Sequence, residues 1–297
     1  MSTVARPAAE IGYRLALPAD LEACADVLYA ADDALSASRG LPVSPRNREA
    51  LVRLFAHMHR YSPDRWWVAE DSARMIGFGG SSTYQEMVYL GFLFVLPETQ
   101  AGGVGRRLLE LSMHDSSYRA VAIASYQPIS AALYSWYGMT PRVPIYMLSG
   151  NPRTEFPALP AGLRVGRLKA AAAEPLDLEV CGLTRTWDHE WWEALGRNRF
   201  GLFEGNELVG YGYIQEVGRL GPLVVRCEEH LLPFAGRLLA EMPDVETWLV
   251  NVPGVANETF VALLRAGMRL EGPPAIYCAT EQRIDHRRYL PVSYALP

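Results

Sequence analysis

Apolar and polar residues alternate over residues 11–17, and that period of two predicts a strand. Pro18 and Asp20 then open a helix, because Leu21, Cys24, Val27 and Leu28 recur at helical spacing. Leu51, Leu54, Phe55 and Met58 lie on one face of a second helix over 47–61. Strands are predicted at 67–70 and 75–80, parted by a tight turn at 71–73, and a long apolar run predicts another at 87–96. Val121, Ala122, Ile123 and Ala124 read as the next strand. Pro128 opens a helix through Leu133, Tyr134 and Tyr137 that stops at Gly138, and residues 143–148 form a closing strand.

The strand at 87–96 runs into Pro97-Glu98-Thr99-Gln100-Ala101-Gly102-Gly103-Val104-Gly105, after which Leu108, Leu109, Leu111 and Met113 carry a helical stripe. A strand, a glycine turn and a helix start make an anion cradle. The first N–H groups of a helix have no internal partner, and the dipole adds about half a positive charge there. Glycines let a phosphate approach the backbone closely. The spacing from Gln100 to Gly105 is Gln-x-x-Gly-x-Gly. It lacks the Gly-x-Gly-x-x-Gly of dinucleotide folds. It also lacks the Gly-Lys-Ser/Thr of a Walker loop, since Arg106 follows Gly105. An ATP-dependent reading is set aside on that ground.

This loop resembles the pyrophosphate loop of the GCN5-related N-acetyltransferases, the GNAT superfamily. A second motif, Leu133-Tyr134-Ser135-Trp136-Tyr137-Gly138-Met139, is similar to the family's Leu-Tyr-x-x-x-Gly-Phe. The order of predicted elements over residues 10–150 also follows the family.

Residues 151–162 hold Pro152, Pro157 and Pro160 and read as a linker. The pattern then restarts with a strand at 163–165, a helical stretch to Ala194 and a strand at 199–203. Leu208-Val209-Gly210-Tyr211-Gly212 echoes Met75-Ile76-Gly77-Phe78-Gly79 at an offset of 133, and Gly267-Met268 echoes Gly138-Met139 at 129. Two echoes at nearly one offset indicate an internal repeat. The expected organisation is a GNAT domain over 1–150, the linker, a degenerate GNAT-like domain over 163–280 and a tail over 281–297. The fold class implied is α/β (α+β): two such domains in tandem, each a mixed, mostly antiparallel twisted sheet flanked by helices.

The second copy lacks the chemistry of the first. After Val225 the chain reads Arg226-Cys227-Glu228-Glu229-His230, with no glycine pair and two carboxylates that would repel a diphosphate. Leu263 stands where the first copy has Tyr134. Structural support, dimerisation or completion of an acceptor pocket are the roles left to it.

At 297 residues the chain has room for two domains, and its 49% apolar content suffices for packed cores. A net charge of −5 gives no basic footprint for nucleic acid. Cys24, Cys181, Cys227 and Cys278 form no Cys-x-x-Cys pair, so no metal is expected. Residues 1–10 carry no apolar core of a signal peptide, and no run reaches the ~18 apolar residues of a membrane span. A cytoplasmic monomer or homodimer is the expectation.

The resemblance implies direct acyl transfer from acetyl-CoA, or another acyl-CoA, to an amine. Gln100, Ala101, Gly102, Gly103, Val104, Gly105 and Arg106 would hold the diphosphate, with Arg107 as a second cation. In this family the strand before the loop splays from its neighbour. A freed backbone N–H among Leu93, Phe94 and Val95 would then meet the thioester carbonyl. Tyr134 would protonate the departing sulfur. Gln127 stands near the pantetheine path, where the family often has Asn. Histone-acetylating relatives carry a glutamate eleven residues before the loop glutamine; Tyr89 stands there, and Glu86 is three residues earlier. Trp66, Trp67, Tyr84, Tyr89, Tyr126, Trp136 and Tyr137 suggest a small, apolar or aromatic amine as acceptor. The alternative is a non-catalytic acyl-CoA sensor or scaffold.

Overall fold

The computed structural model describes residues 11–41, 46–100, 102–125, 127–169 and 172–297. Contact density divides the described chain into two units, Met1–Thr83 with Val88–Ser117 and Tyr84–Met87 with Tyr118–Pro297.

The first unit contains β1 (Gly12–Leu15), α1 (Leu21–Arg39), α2 (Arg48–Tyr61), β2 (Trp66–Asp71), most of β3 (Arg74–Tyr84) and β4 (Met87–Val95), and α3 (Val104–Ser112). Its strands lie in chain order, with β1–β2 and β2–β3 antiparallel. Gly40, at φ +63°, ends α1 in the left-handed conformation that a side chain resists. The Asn47 side chain caps α2 by accepting from the Ala50 N–H at 2.9 Å. Phe55 on α2 meets Trp66 and Phe92 edge-on, with ring centroids 5.4 and 4.7 Å apart. Trp66, expected at an acceptor pocket, is thus a fully buried core residue. Gly77 and Gly79 on β3 face α3, where a side chain would collide with Leu108 and Ser112. Those two glycines let the helix after the loop lie directly on the sheet.

The second unit contains β5 (Tyr118–Ala124), α4 (Pro128–Trp136), β6 (Thr140–Gly150), β7 (Leu163–Arg167), α5 (Glu174–Cys181), α6 (Thr186–Ala194), β8 (Asn198–Glu204), β9 (Glu207–Gln215), β10 (Arg219–Val225), α7 (Leu231–Leu239), β11 (Trp248–Pro253), α8 (Asn257–Arg265), β12 (Arg269–Leu270), β13 (Ala275–Ala279) and β14 (Tyr289–Leu290). The strand order is β5-β13-β6-β11-β10-β9-β8-β7. Every neighbouring pair is antiparallel except β10–β11. The fold is therefore α/β, with mixed, mostly antiparallel sheets and flanking helices. The helical stretch before Ala194 is two helices, because Gly182 turns the chain at φ +68°.

The repeat is visible in backbone detail. Gly212 on β9 faces Leu238 of α7, as Gly79 faces α3. After α4, Gly138 sits at φ +83° and the Met139 N–H donates to Tyr134 O at 3.0 Å. After α8, Gly267 sits at φ +98° and the Met268 N–H donates to Leu263 O at 3.1 Å. Strand β6 serves both copies: residues 140–145 pair with β13, and residues 145–150 pair with β11. β13 lies between β5 and β6, although over 120 residues separate it from either in sequence. The tail is ordered, and its β14 pairs with β10.

Candidate active site

The loop after β4 is braced before the helix begins. The Leu96 N–H donates to Ile76 O at 2.8 Å, and residues Pro97–Thr99 form one tight turn. The Gln100 side chain folds back, and its Nε2 donates to Val95 O at 3.1 Å. Gln100 thus ties the loop to the end of the strand. Ala101 lies outside the described residues. Gly102 and Gly103 are exposed, and Gly103 takes φ +79° as the N-cap of α3. Its carbonyl accepts the first helical bond, from the Arg107 N–H at 3.1 Å. Among the described residues, no acceptor meets the N–H groups of Gly103, Val104, Gly105 and Arg106.

Charge and space agree with those open donors. The first turn of α3 has no acidic side chain. A Cβ on Gly103 would meet nothing within 4 Å, and one on Gly105 would meet only Val95 Cγ2 at 3.7 Å. Arg106 is exposed and forms no side-chain ion pair among the described residues. Arg107 instead pairs with Glu110 at 3.3 Å on the surface. Of the two cations expected to face phosphate, Arg106 is the one left for that use. Open amides, a positive helix end, absent carboxylates and an exposed arginine fit a diphosphate.

The corresponding place in the second copy does not fit one. Glu228 and Glu229 stand in the turn just before α7. Phe156 from the linker lies on α7 so tightly that a Cβ at Gly236 would sit 2.3 Å from it.

The remaining candidates fall into two groups. Tyr89 on β4 is only 2% exposed, Val95 is buried, and Leu93 and Phe94 are half-buried. Phe94 stacks on Phe78 with centroids 5.9 Å apart. Tyr134 and Gln127 belong to the second unit. Gln127 caps α4: its carbonyl accepts from the Ala131 N–H at 3.0 Å, and its Oε1 accepts from Ser130 Oγ at 3.3 Å. Tyr134 is buried on α4. Burial first, and the neighbouring Cys278 second, push its phenol above the ordinary tyrosine range, so it keeps its proton.

Other expected pocket aromatics have different places. Tyr84 is buried, and its hydroxyl donates to Asp188 Oδ2 at 2.9 Å. Trp67 Nε1 donates to Asp64 O at 3.1 Å. Trp136 is 82% exposed on α4, and Tyr126 lies outside the described residues. Glu86 is no base in waiting: Arg283 pairs with it at 2.9 Å. Among the described residues no cluster of His, Cys, Asp and Glu could hold a metal, and no helix is long and apolar enough to cross a membrane.

Sequence reasoning missed a buried polar network in the second copy. Asp177 accepts from Arg185 Nη2 at 2.5 Å and from His189 Nε2 at 2.7 Å. Tyr211 donates to the same carboxylate, and His189 Nδ1 meets Tyr213 OH at 2.7 Å. Burial alone would raise the Asp177 carboxyl, but Arg185 and His189 outweigh it and hold it below the usual range. The sequence carried no signal for it: Asp177 and His189 stand among other charged residues of α5 and α6, and Arg185 precedes α6.

Residues 62–138 match a family model described as the acetyltransferase (GNAT) domain. A solved structure from Pyrococcus horikoshii, described as a candidate acetyltransferase, is 17% identical, with a TM-score of 0.72 over 100% of this chain and 99% of that one. A GCN5-related N-acetyltransferase from Sphaerobacter thermophilus is 14% identical, with a TM-score of 0.61 over 94% and 98%. A tandem GNAT protein from the clavulanic acid biosynthesis pathway is 17% identical, with a TM-score of 0.57 over 92% and 99%. At these identities the likeness is one of fold. No curated protein matches the sequence.

Proposed function

We propose that the chain is a member of the GNAT superfamily and acts as an acyl-CoA-dependent N-acyltransferase with one working copy of the fold, a reading supported by the match of residues 62–138 to the acetyltransferase (GNAT) domain and by the likeness of fold. The observation that carries this reading is the open, carboxylate-free start of α3, with Gly103 at φ +79° and four backbone donors that meet no acceptor among the described residues. Bound acyl-CoA, acetyl-CoA in the simplest case, supplies the activated acyl group.

The chain's own residues do the rest. The N–H groups of Gly103 to Arg106 bind the diphosphate, and the Arg106 guanidinium adds charge. Gln100 holds the loop in place through Val95 O. A main-chain N–H among Leu93, Phe94 and Val95 polarises the thioester carbonyl, a device worth roughly 3 kcal/mol of barrier. Tyr134 holds a proton on its hydroxyl for the leaving sulfur. Tyr89 orients the incoming amine from the strand position where relatives carry a carboxylate. Gln127 borders the pantetheine path. The acceptor is a small amine, apolar or aromatic, already neutral when it attacks.

The test is a thiol-release assay with acetyl-CoA and a panel of amines. Turnover that Tyr134→Phe removes while CoA binding persists supports the reading. Tyr89 stands where relatives carry a carboxylate, and the nearby Glu86 is engaged by Arg283; the lack of a carboxylate base favours a second reading, a non-catalytic acyl-CoA sensor. CoA uptake without turnover on any amine would establish the sensor instead.

A further inference from the structure

β13 and the tail form one continuous element with two attachments. The first lies beside Tyr134. β13 is paired on both edges, with β5 from Ala275↔Ala124 to Ala279↔Ala120 and with β6 from Ala275↔Ile145 to Ala279↔Thr140. Cys278 is fully buried there, next to Tyr134. The Thr280 N–H donates to Arg119 O at 3.0 Å, and its methyl lies 3.5 Å from where a Cβ on Gly138 would stand. Gly138 is the turn that ends the Tyr134 helix.

The second attachment lies in the copy without a glycine loop. β10 and β11 pair only at Arg219↔Leu249 and Leu220↔Val250. β14 takes the next stretch of β10, pairing Leu223↔Leu290 and Val224↔Tyr289. The Val225 N–H donates to Arg288 O at 3.0 Å, and Arg219 donates to Val292 O at 3.0 Å. Arg185 clasps the tail, donating to the Tyr289 hydroxyl at 3.0 Å and to Pro297 O at 2.6 Å. Between the attachments, His286 packs on Tyr277 with centroids 4.6 Å apart, and the Asp285 N–H donates to Val180 O at 2.9 Å.

A gap opens between these parallel strands beyond Leu220 and Val250. The chain's own backbone fills it and uses its edge hydrogen bonds. The clasp is a fully buried ion pair, Arg185 with Asp177. A buried ion pair is a weak source of net stability, and the best-attested use of such a pair is to fix a register.

We propose that the second copy is the anchor of a strap, residues 280–297, whose docking between β10 and β11 fixes β13 in register beside Tyr134. Arg185 and Tyr289 are then positioning residues for acyl transfer. The catalytic consequence rests on the role proposed for Tyr134; the strap itself rests on the pairing geometry.

The double variant Tyr289→Phe with Leu290→Ala loosens the strap without unpairing Asp177. Amide exchange at residues 276–278 is then expected to quicken roughly tenfold, as a local opening becomes easier. The kcat for thiol release falls about ten- to a hundredfold, as for a displaced catalytic group, while KM for acetyl-CoA holds. Unchanged exchange in β13, or a shift in KM with kcat intact, overturns the proposal. Should the variant not fold, native-state exchange of the wild type in rising urea decides. The amides of Val225 and of residues 276–278 are expected to open together; β13 protection that outlasts that of Val225 overturns the strap. If the wild type releases no thiol with any amine, the transferase reading falls, and the exchange data still judge the strap.

Discussion

A Cβ placed on Gly79 would stand 2.5 Å from the Ser112 hydroxyl oxygen and 3.3 Å from Leu108 O. Helix α3 therefore lies on β3 at a distance that only glycine permits, and the loop at its start inherits that placement. Gly79→Ala is expected to push α3 outward and destabilise the first unit by about 1–3 kcal/mol, the usual range for overpacking. Ser112 Oγ is buried without a partner among the described residues, so adding Ser112→Ala removes the worst collision at little cost. Chemical denaturation of the two single variants and the double should show the second change recovering part of the loss. Additive losses would mean that the helix does not rest on this contact.

Gly105 separates stability from binding. It is helical, and a Cβ there has ordinary space beside Val95. Gly105→Ala should raise stability slightly, by about 0.5 kcal/mol, since alanine favours helix. The added methyl stands among the open donors and should weaken CoA binding about tenfold, or 1.4 kcal/mol. Thermal melts and calorimetry on one preparation test both signs. Weakened binding with lowered stability would point to simple misfolding of the loop.

Tyr134 bears on the pH profile. Burial, then Cys278, raise its pKa above the ordinary value of 10.0. The acid form therefore persists throughout the neutral and mildly alkaline range, and no loss of rate below pH 10 should belong to this phenol. Tyr134→Phe is expected to lower kcat about 10²–10⁴-fold, the span of general acid catalysis, with little change in CoA affinity. Stability follows the same sign. Above pH 10 the unfolded phenol ionises first, so the raised folded value makes stability fall with rising pH. Tyr134→Phe should blunt that alkaline fall in melts between pH 9 and 11.

His286 sets an acid limit. Burial lowers its pKa from 6.5 to about 4, although Ile284 O and Asp285 favour the charged form. The unfolded state then takes up the proton first. Stability is full above pH 6.5 and declines as pH falls toward 4, by roughly 3 kcal/mol in all. Denaturation at pH 7 and pH 4.5 should show a smaller difference in His286→Gln than in the wild type. An equal difference would place the acid sensitivity elsewhere.

Local chemistry made the first copy legible. The period of Leu51, Phe55 and Met58, the proline before Gln100 and the glycines around Gly103 each dictate their element through nearby neighbours. The echo of Gly77 and Gly79 in Gly210 and Gly212 was legible for the same reason: in both copies a strand must pass beneath a helix. The path of β13 was not. Ala275–Ala279 is a short apolar strand that could pair with many edges, and its place between β5 and β6 is settled only by distant partners. The tail was illegible too, since Tyr289 and Leu290 give no period and acquire a role only through Arg185 and β10. Arg106 and Arg107 looked alike until Glu110 claimed one of them.

Calorimetric titration of CoA into the wild type and into Gly103→Val tests the central claim most directly. One binding event per chain is expected, reduced at least tenfold when the valine must adopt φ +79° and crowd the open amides. No uptake by the wild type, uptake undiminished in the variant, or two equal sites per chain would contradict the account.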